Sequence, residues 1–194
     1  MHHNYILFLE PGDKLLGAIA SQFPYRDGDN AILAYGYIDS EAGISFEVLC
    51  LAQHTDKGID IGEGCPSTSF KLRYDSVEGK LMNLAFDDAL LKFYKKVKMI
   101  DEGYKSNEAA ELFRTIESVD SFRHPQFPDD LLVCFITETS KLEKIWVRIT
   151  GMKDKVLGGI LLNEPYQDFG VHAGEMVGID HVNGDGVLIP VAVL

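Results

Sequence analysis

The chain has 194 residues, 46% apolar, 10% aromatic and 25% charged, the make-up of a folded globular protein rather than a disordered one. Thirty Asp and Glu against 18 Lys and Arg give a formal net charge of -12. That field repels phosphate backbones, which argues against a nucleic-acid partner, while it favours solubility and would draw a basic protein partner.

No stretch approaches the roughly 20 apolar residues of a membrane helix, so no membrane partner is expected. The apolar run Tyr5-Ile6-Leu7-Phe8-Leu9 is too short for a signal-peptide core and has no basic leader, which predicts a cytoplasmic location.

Tyr5 to Leu9 reads as a first strand closed by Pro11-Gly12. Asp13 is placed to cap a short helix through Leu15, Leu16, Ile19 and Phe23, stopped by Pro24. Ala31 to Ile38 and Ile44 to Ala52 form a hairpin across a glycine-ended loop. From Gln53 to Ser69 the periodicity vanishes amid glycines, which predicts a long loop, and Phe70, Leu72 and Tyr74 then alternate as a strand.

Two consecutive helices are expected next. The first buries Phe86, Leu90, Phe93, Val97 and Ile100, with Asp87-Asp88 at its start and Lys95, Lys96 and Lys98 near its end, as the helix dipole prefers. The second starts at a Ser106 cap, has Glu108 and Glu111 in its first turn, and buries Leu112, Ile116, Val119 and Phe122. His124-Pro125-Gln126-Phe127-Pro128 is a connector.

Five strands follow, at Leu131–Thr137, Lys144–Thr150, Val156–Asn163, Met176–Val182 and Val187–Val193. Reversals are expected at Gly151–Lys155 and Asn183–Gly186, and Pro190 suits an edge strand. The expected fold is α+β: an N-terminal α/β portion over residues 1–125 and a C-terminal antiparallel β-module, barrel-like or meander, over 126–194, packed as one unit.

Residues 143–193 hold Ile145-Trp146-Val147-Arg148-Ile149, then Gly159-Ile160-Leu161-Leu162-Asn163-Glu164-Pro165, then Gly174-Glu175-Met176-Val177. This order resembles a bacterial family known only as a domain of unknown function, the 2314 type. The resemblance implies a β-module and brings no catalytic residue with it. The first 125 residues carry no such likeness.

The odd number of cysteines, widely spaced, predicts neither a disulfide framework nor a zinc site, and Cys50 and Cys134 sit in apolar runs as buried small hydrophobes. No cofactor is expected. Cys65, in a polar glycine-rich loop, is the candidate nucleophile of a thiol hydrolase or transferase, with His54 or His172 as base, although Asp60 and Glu63 should raise its pKa. His172 and His181, with Asp168, Glu175 and Asp180 nearby, lack the spacing of a metal signature, so no metal is assigned.

Binding candidates cluster in the connection after Asn163: Asn163, Glu164, Tyr166, Asp168, Phe169 and His172. The alternative reading is that Tyr166 and Phe169 plug the end of a small barrel. Trp146 and Arg148 either anchor an interface or lie under one of the helices. Together these features favour a non-enzymatic, protein-binding or regulatory module of immunity type, with the thiol enzyme as the alternative and the oligomeric state open.

Overall fold

A computed structural model describes residues 3–77, 79–153, 156–184 and 187–194. The chain divides into two compact units, Met1–Lys105 and Ser106–Leu194, so the connector at residues 124–128 lies inside the second.

The first unit is built on one antiparallel sheet. Its strands are β1 (Asn4–Leu9), β2 (Ala31–Asp39), β3 (Gly43–Thr55), β4 (Gly58–Ile61), β5 (Lys71–Arg73) and β6 (Lys80–Leu84). Their order is β4-β3-β2-β1-β6, and β5 pairs with the other part of the same β3 edge. Every described ladder in this unit is antiparallel, so it has no parallel α/β sheet.

Strand alternation sends Ile6 and Phe8 to one face and Leu7 to the other. Helix α1 (Asp13–Ala20) covers the first face through Ile19, and helix α2 (Tyr94–Gly103) covers the second through Val97 and Ile100. With both faces buried, β2 and β3 read as nearly unbroken apolar runs.

Several expectations are corrected here. Gly12, not Asp13, is the N-cap residue of α1, and no side chain caps it. The Gln53–Ser69 segment is not one loop: β3 continues to Thr55 and turns into β4, where Ile59 and Ile61 pack inward. Arg26 fixes that hairpin, donating to the Asp60 carboxylate at 2.8 Å and to its carbonyl at 3.0 Å.

The helix expected from Phe86 begins as a 3-10 turn, Asp88–Phe93, capped by the Asp87 carboxylate accepting from the Ala89 N–H, and only then becomes α2. Phe86 precedes it and is exposed.

The second unit opens with helix α3 (Glu108–Arg114) and a 3-10 segment, Glu117–Phe122. Asn107, not Ser106, caps α3, accepting from the Ala110 N–H at 2.8 Å. The buried face carries Ala110 and Phe113, while Leu112 is exposed. The expected stripe assumed one unbroken helix; Val119 is buried and Ile116 and Phe122 pack against the core as expected, and of the four only Leu112 faces out.

Strands β7 (Asp130–Phe135), β8 (Glu143–Lys153), β9 (Val156–Leu161), β10 (Met176–Gly184) and β11 (Val187–Val193) then close a barrel. Five strands in an up-and-down meander leave the first and last pointing the same way. Closure therefore has to be parallel, and β11 pairs β7 in parallel at Val191 and Cys134. Pro190, expected on an edge, is buried beside this short seam, where its missing N–H costs little ladder.

The reversals expected at Gly151–Lys155 and Asn183–Gly186 fall partly outside the described residues. Ile145, Val147, Ile149, Val177 and Ile179 are buried together, and Phe113, Val119 and Phe169 complete that core. No helix among the described residues is long and apolar enough to cross a membrane.

Candidate functional site

An open-mouthed cavity of about 570 Å³ lies within the first unit, between α2, β3 and the segment from Glu63 to Ser69. Its size suits a small molecule. Leu49, Phe93, Met99 and Ile100 give it apolar walls, and four lysines, Lys71, Lys92, Lys95 and Lys96, face two glutamates, Glu47 and Glu63. In a chain of net charge -12 this is a locally cationic place.

The helical segment delivers three of the lysines because Lys92, Lys95, Lys96 and Met99 recur at the spacing of one helix face. Phe93, Val97 and Ile100 hold the neighbouring face against the sheet. The opposite wall is a loop drawn inward by backbone bonds, Gly62 N–H to the Leu51 carbonyl at 3.0 Å and Val48 N–H to the Phe70 carbonyl at 2.9 Å. Gly64 is required there, since a Cβ would lie 2.6 Å from the Phe93 ring.

Lys96 stitches the walls together. Its ammonium pairs with Glu47 at 2.8 Å and donates to the carbonyls of Val48 at 3.2 Å and Thr68 at 2.8 Å. Glu47 is only 3% exposed, and its other oxygen accepts from the Ser69 hydroxyl at 3.0 Å. Lys92 donates to the Ile61 carbonyl and to Glu63.

Lys71 donates to the Tyr104 hydroxyl at 2.9 Å, and the Tyr104 ring packs 4.3 Å from that of Tyr37. The Tyr37 hydroxyl is buried and makes no well-formed hydrogen bond among the described residues.

Cys65 opens onto this cavity, and its thiol pKa is lowered, not raised. The Thr68 hydroxyl, donating to Sγ from 3.0 Å, is the main cause, and Ser67 adds to it. Both acids expected to oppose this are engaged elsewhere, Asp60 by Arg26 and Glu63 by Lys92. His54 is not beside the thiol: it lines a different cavity with Glu10 and Pro11, and its backbone is pinned at both ends of the Asn30 amide.

In the second unit several of the expected binding residues bond to their own neighbours, while the side chains of Tyr166, His172 and Glu164 remain largely exposed. Asn163 accepts from the Trp146 N–H at 3.1 Å. Glu164 accepts from the Ala173 N–H at 2.9 Å and bonds His172 Nδ1 at 2.7 Å. The Ala173 N–H and then His172 hold the Glu164 carboxyl below its ordinary range, and the hydrogen bond and charge of Glu164 raise the His172 pKa.

Asp168 accepts from the Gly170 N–H in a tight turn, and Gly174, at φ 87, brings the chain back to β10. Phe169 plugs the barrel, edge-on to Phe135 at 5.6 Å, whereas Tyr166 is 97% exposed and plugs nothing. Trp146 is half-buried, its ring centroid 5.1 Å from that of His124 in the connector. Arg148 grips the buried Asp130 with two bonds, at 2.7 and 2.9 Å.

Sequence reasoning missed the cavity. Its one visible trace is the lysine spacing, since Lys71, Tyr37 and Tyr104 come from separate elements that only the fold brings together. No three His, Cys, Asp or Glu side chains converge as metal ligands among the described residues. No family model, curated protein or solved structure matches the chain.

Proposed function

We propose that this chain is a non-enzymatic regulatory module whose first unit takes up a small, largely apolar molecule. The observation that carries the reading is the cavity of about 570 Å³, with its apolar walls and cationic rim on an otherwise acidic protein. Such pockets recognise ligands by apolar burial and use a few polar groups to fix orientation. Its ionisable groups support binding over catalysis, because Lys96 with Glu47 and Lys71 with Tyr104 are tied to each other, and Cys65 has hydroxyl neighbours in place of a histidine base.

The test is uptake of anilinonaphthalene sulfonate, a fluorophore with apolar rings and one anionic sulfonate, by the native protein. Saturable, one-to-one binding that Met99→Trp weakens at least about tenfold, by closing an exposed part of the wall, is the expected result. Absence of saturable binding, or binding indifferent to Met99→Trp, rejects the reading.

A further inference from the structure

We infer that the molecule this cavity takes is a carboxylate with an aliphatic body, its head held by Lys71, Tyr104 and Tyr37. The inference rests on the reading of the cavity as a binding site and adds the chemical class and orientation of its occupant.

A lysine ammonium has three donors; of the four cavity lysines Lys95 is exposed with no described partner, and the other three differ in how many of their donors are spent. Lys96 donates to the carbonyls of Val48 and Thr68 and its charge is paired at 2.8 Å with Glu47, so it is committed to the wall. Lys92 has two acceptors, the Ile61 carbonyl and Glu63. Lys71 has one described partner, the Tyr104 hydroxyl. Its remaining donors are the unspent charge next to the wall that Tyr37 and Tyr104 form.

Tyr37 supplies the independent sign that something polar belongs there. It is 2% exposed, and its hydroxyl makes no well-formed hydrogen bond among the described residues, although the Tyr104 hydroxyl lies near enough to act on it. Leaving a buried hydroxyl unsatisfied is costly, and a ligand acceptor would remove that cost. Burial also holds its pKa up, so the phenol keeps its proton and remains a donor. One ammonium and a phenol donor match the two oxygens of a monoanion. The apolar walls at Leu49, Phe93, Met99 and Ile100 then accept a hydrocarbon tail.

The experiment is calorimetric titration of the full chain with decanoate and, in parallel, with decanol, which has the same tail and no charge. Wild-type protein is expected to bind decanoate about tenfold more tightly than decanol, the size of one charge-assisted hydrogen bond. Lys71→Met, which keeps the apolar stem, should erase that preference by weakening decanoate alone. Tyr37→Phe should weaken decanoate several-fold, and Lys98→Met, on the same protein but outside the cavity wall, should change neither affinity.

Equal binding of the two ligands, or a preference that survives Lys71→Met, overturns the carboxylate inference while the cavity stands as an apolar site. Binding of neither ligand overturns both the inference and the reading beneath it. Circular dichroism melting of each variant guards against loss of fold, and Tyr37→Phe carries the test alone if Lys71→Met does not fold.

Discussion

Lys96→Met is the substitution whose cost the structure states most directly. It removes the ammonium that pairs at 2.8 Å with Glu47, a carboxylate only 3% exposed, and leaves that carboxylate with the Ser69 hydroxyl as its partner. Breaking a buried ion pair from one side costs about 3–5 kcal/mol. The Lys96 side chain is 22% exposed and Ser69 stays, so the low end applies, about 3 kcal/mol. For a unit of this size that lowers Tm by roughly 12 °C or more.

The assay has a built-in control. Seven of the eight tyrosines lie in the first unit, whereas Trp146, the sole tryptophan, lies in the second. Urea unfolding followed by tyrosine ellipticity should shift, and tryptophan fluorescence should report any effect on the barrel. Adding Glu47→Gln neutralises the stranded carboxylate and should restore about 1.5 kcal/mol or more. A cost under about 1 kcal/mol for Lys96→Met, or a Glu47→Gln change that adds to the damage, would refute the buried-pair argument.

Other outcomes follow from the same geometry. Thr68→Val removes the hydroxyl that donates to Cys65 Sγ, so iodoacetamide should alkylate that thiol several-fold more slowly at neutral pH; an unchanged rate by mass spectrometry would mean the hydroxyl does not set its pKa. Phe169→Ala should cost about 3–5 kcal/mol in urea unfolding read by Trp146 fluorescence, because Phe169 is buried against Phe135; a loss below about 1 kcal/mol would show the barrel closes without it.

The Glu164–His172 clip has a pH window. The lowered Glu164 pKa means its contribution is complete above the ordinary carboxylate value of about 4.3 and is lost as pH falls through the lowered one. The raised His172 pKa means its contribution is complete below about 6.5 and is lost as pH rises through the raised one. NMR titration should show His172 above the ordinary histidine value and returning toward it in Glu164→Gln; coincident curves would exclude the pair.

Much of the fold was legible because burial follows strand period. Ile145, Val147 and Ile149 alternate with polar neighbours, and all three are in the barrel core. The β3–β4 hairpin was not legible, because Gly58 and Gly62 hide the alternation of Ile59 and Ile61, and the Arg26–Asp60 bond that holds it spans 34 residues. The sequence pattern points to Leu112 where the structure buries Phe113, because a helix of seven residues, followed by a 3-10 segment, does not keep the phase that a longer helix would.

The candidate site failed for a different reason: residue type marks chemistry, but only the fold decides whether a charge is spent. In the second unit several conspicuous charged groups are engaged internally. Arg114 is clamped to Asp129 by two bonds of 2.7 Å, Arg148 to Asp130, and Glu143 accepts from the Tyr166 and Gln167 backbone. Each such pairing makes the loop or helix it holds more exact and leaves less for a ligand. In the first unit Lys71 keeps donors to spare and the buried Tyr37 hydroxyl makes no well-formed hydrogen bond among the described residues. Unspent hydrogen-bonding capacity beside an apolar cavity is what would distinguish a binding wall from a structural clamp, and the proposed ligand site rests on that difference, in a part of the chain where the sequence offers no motif.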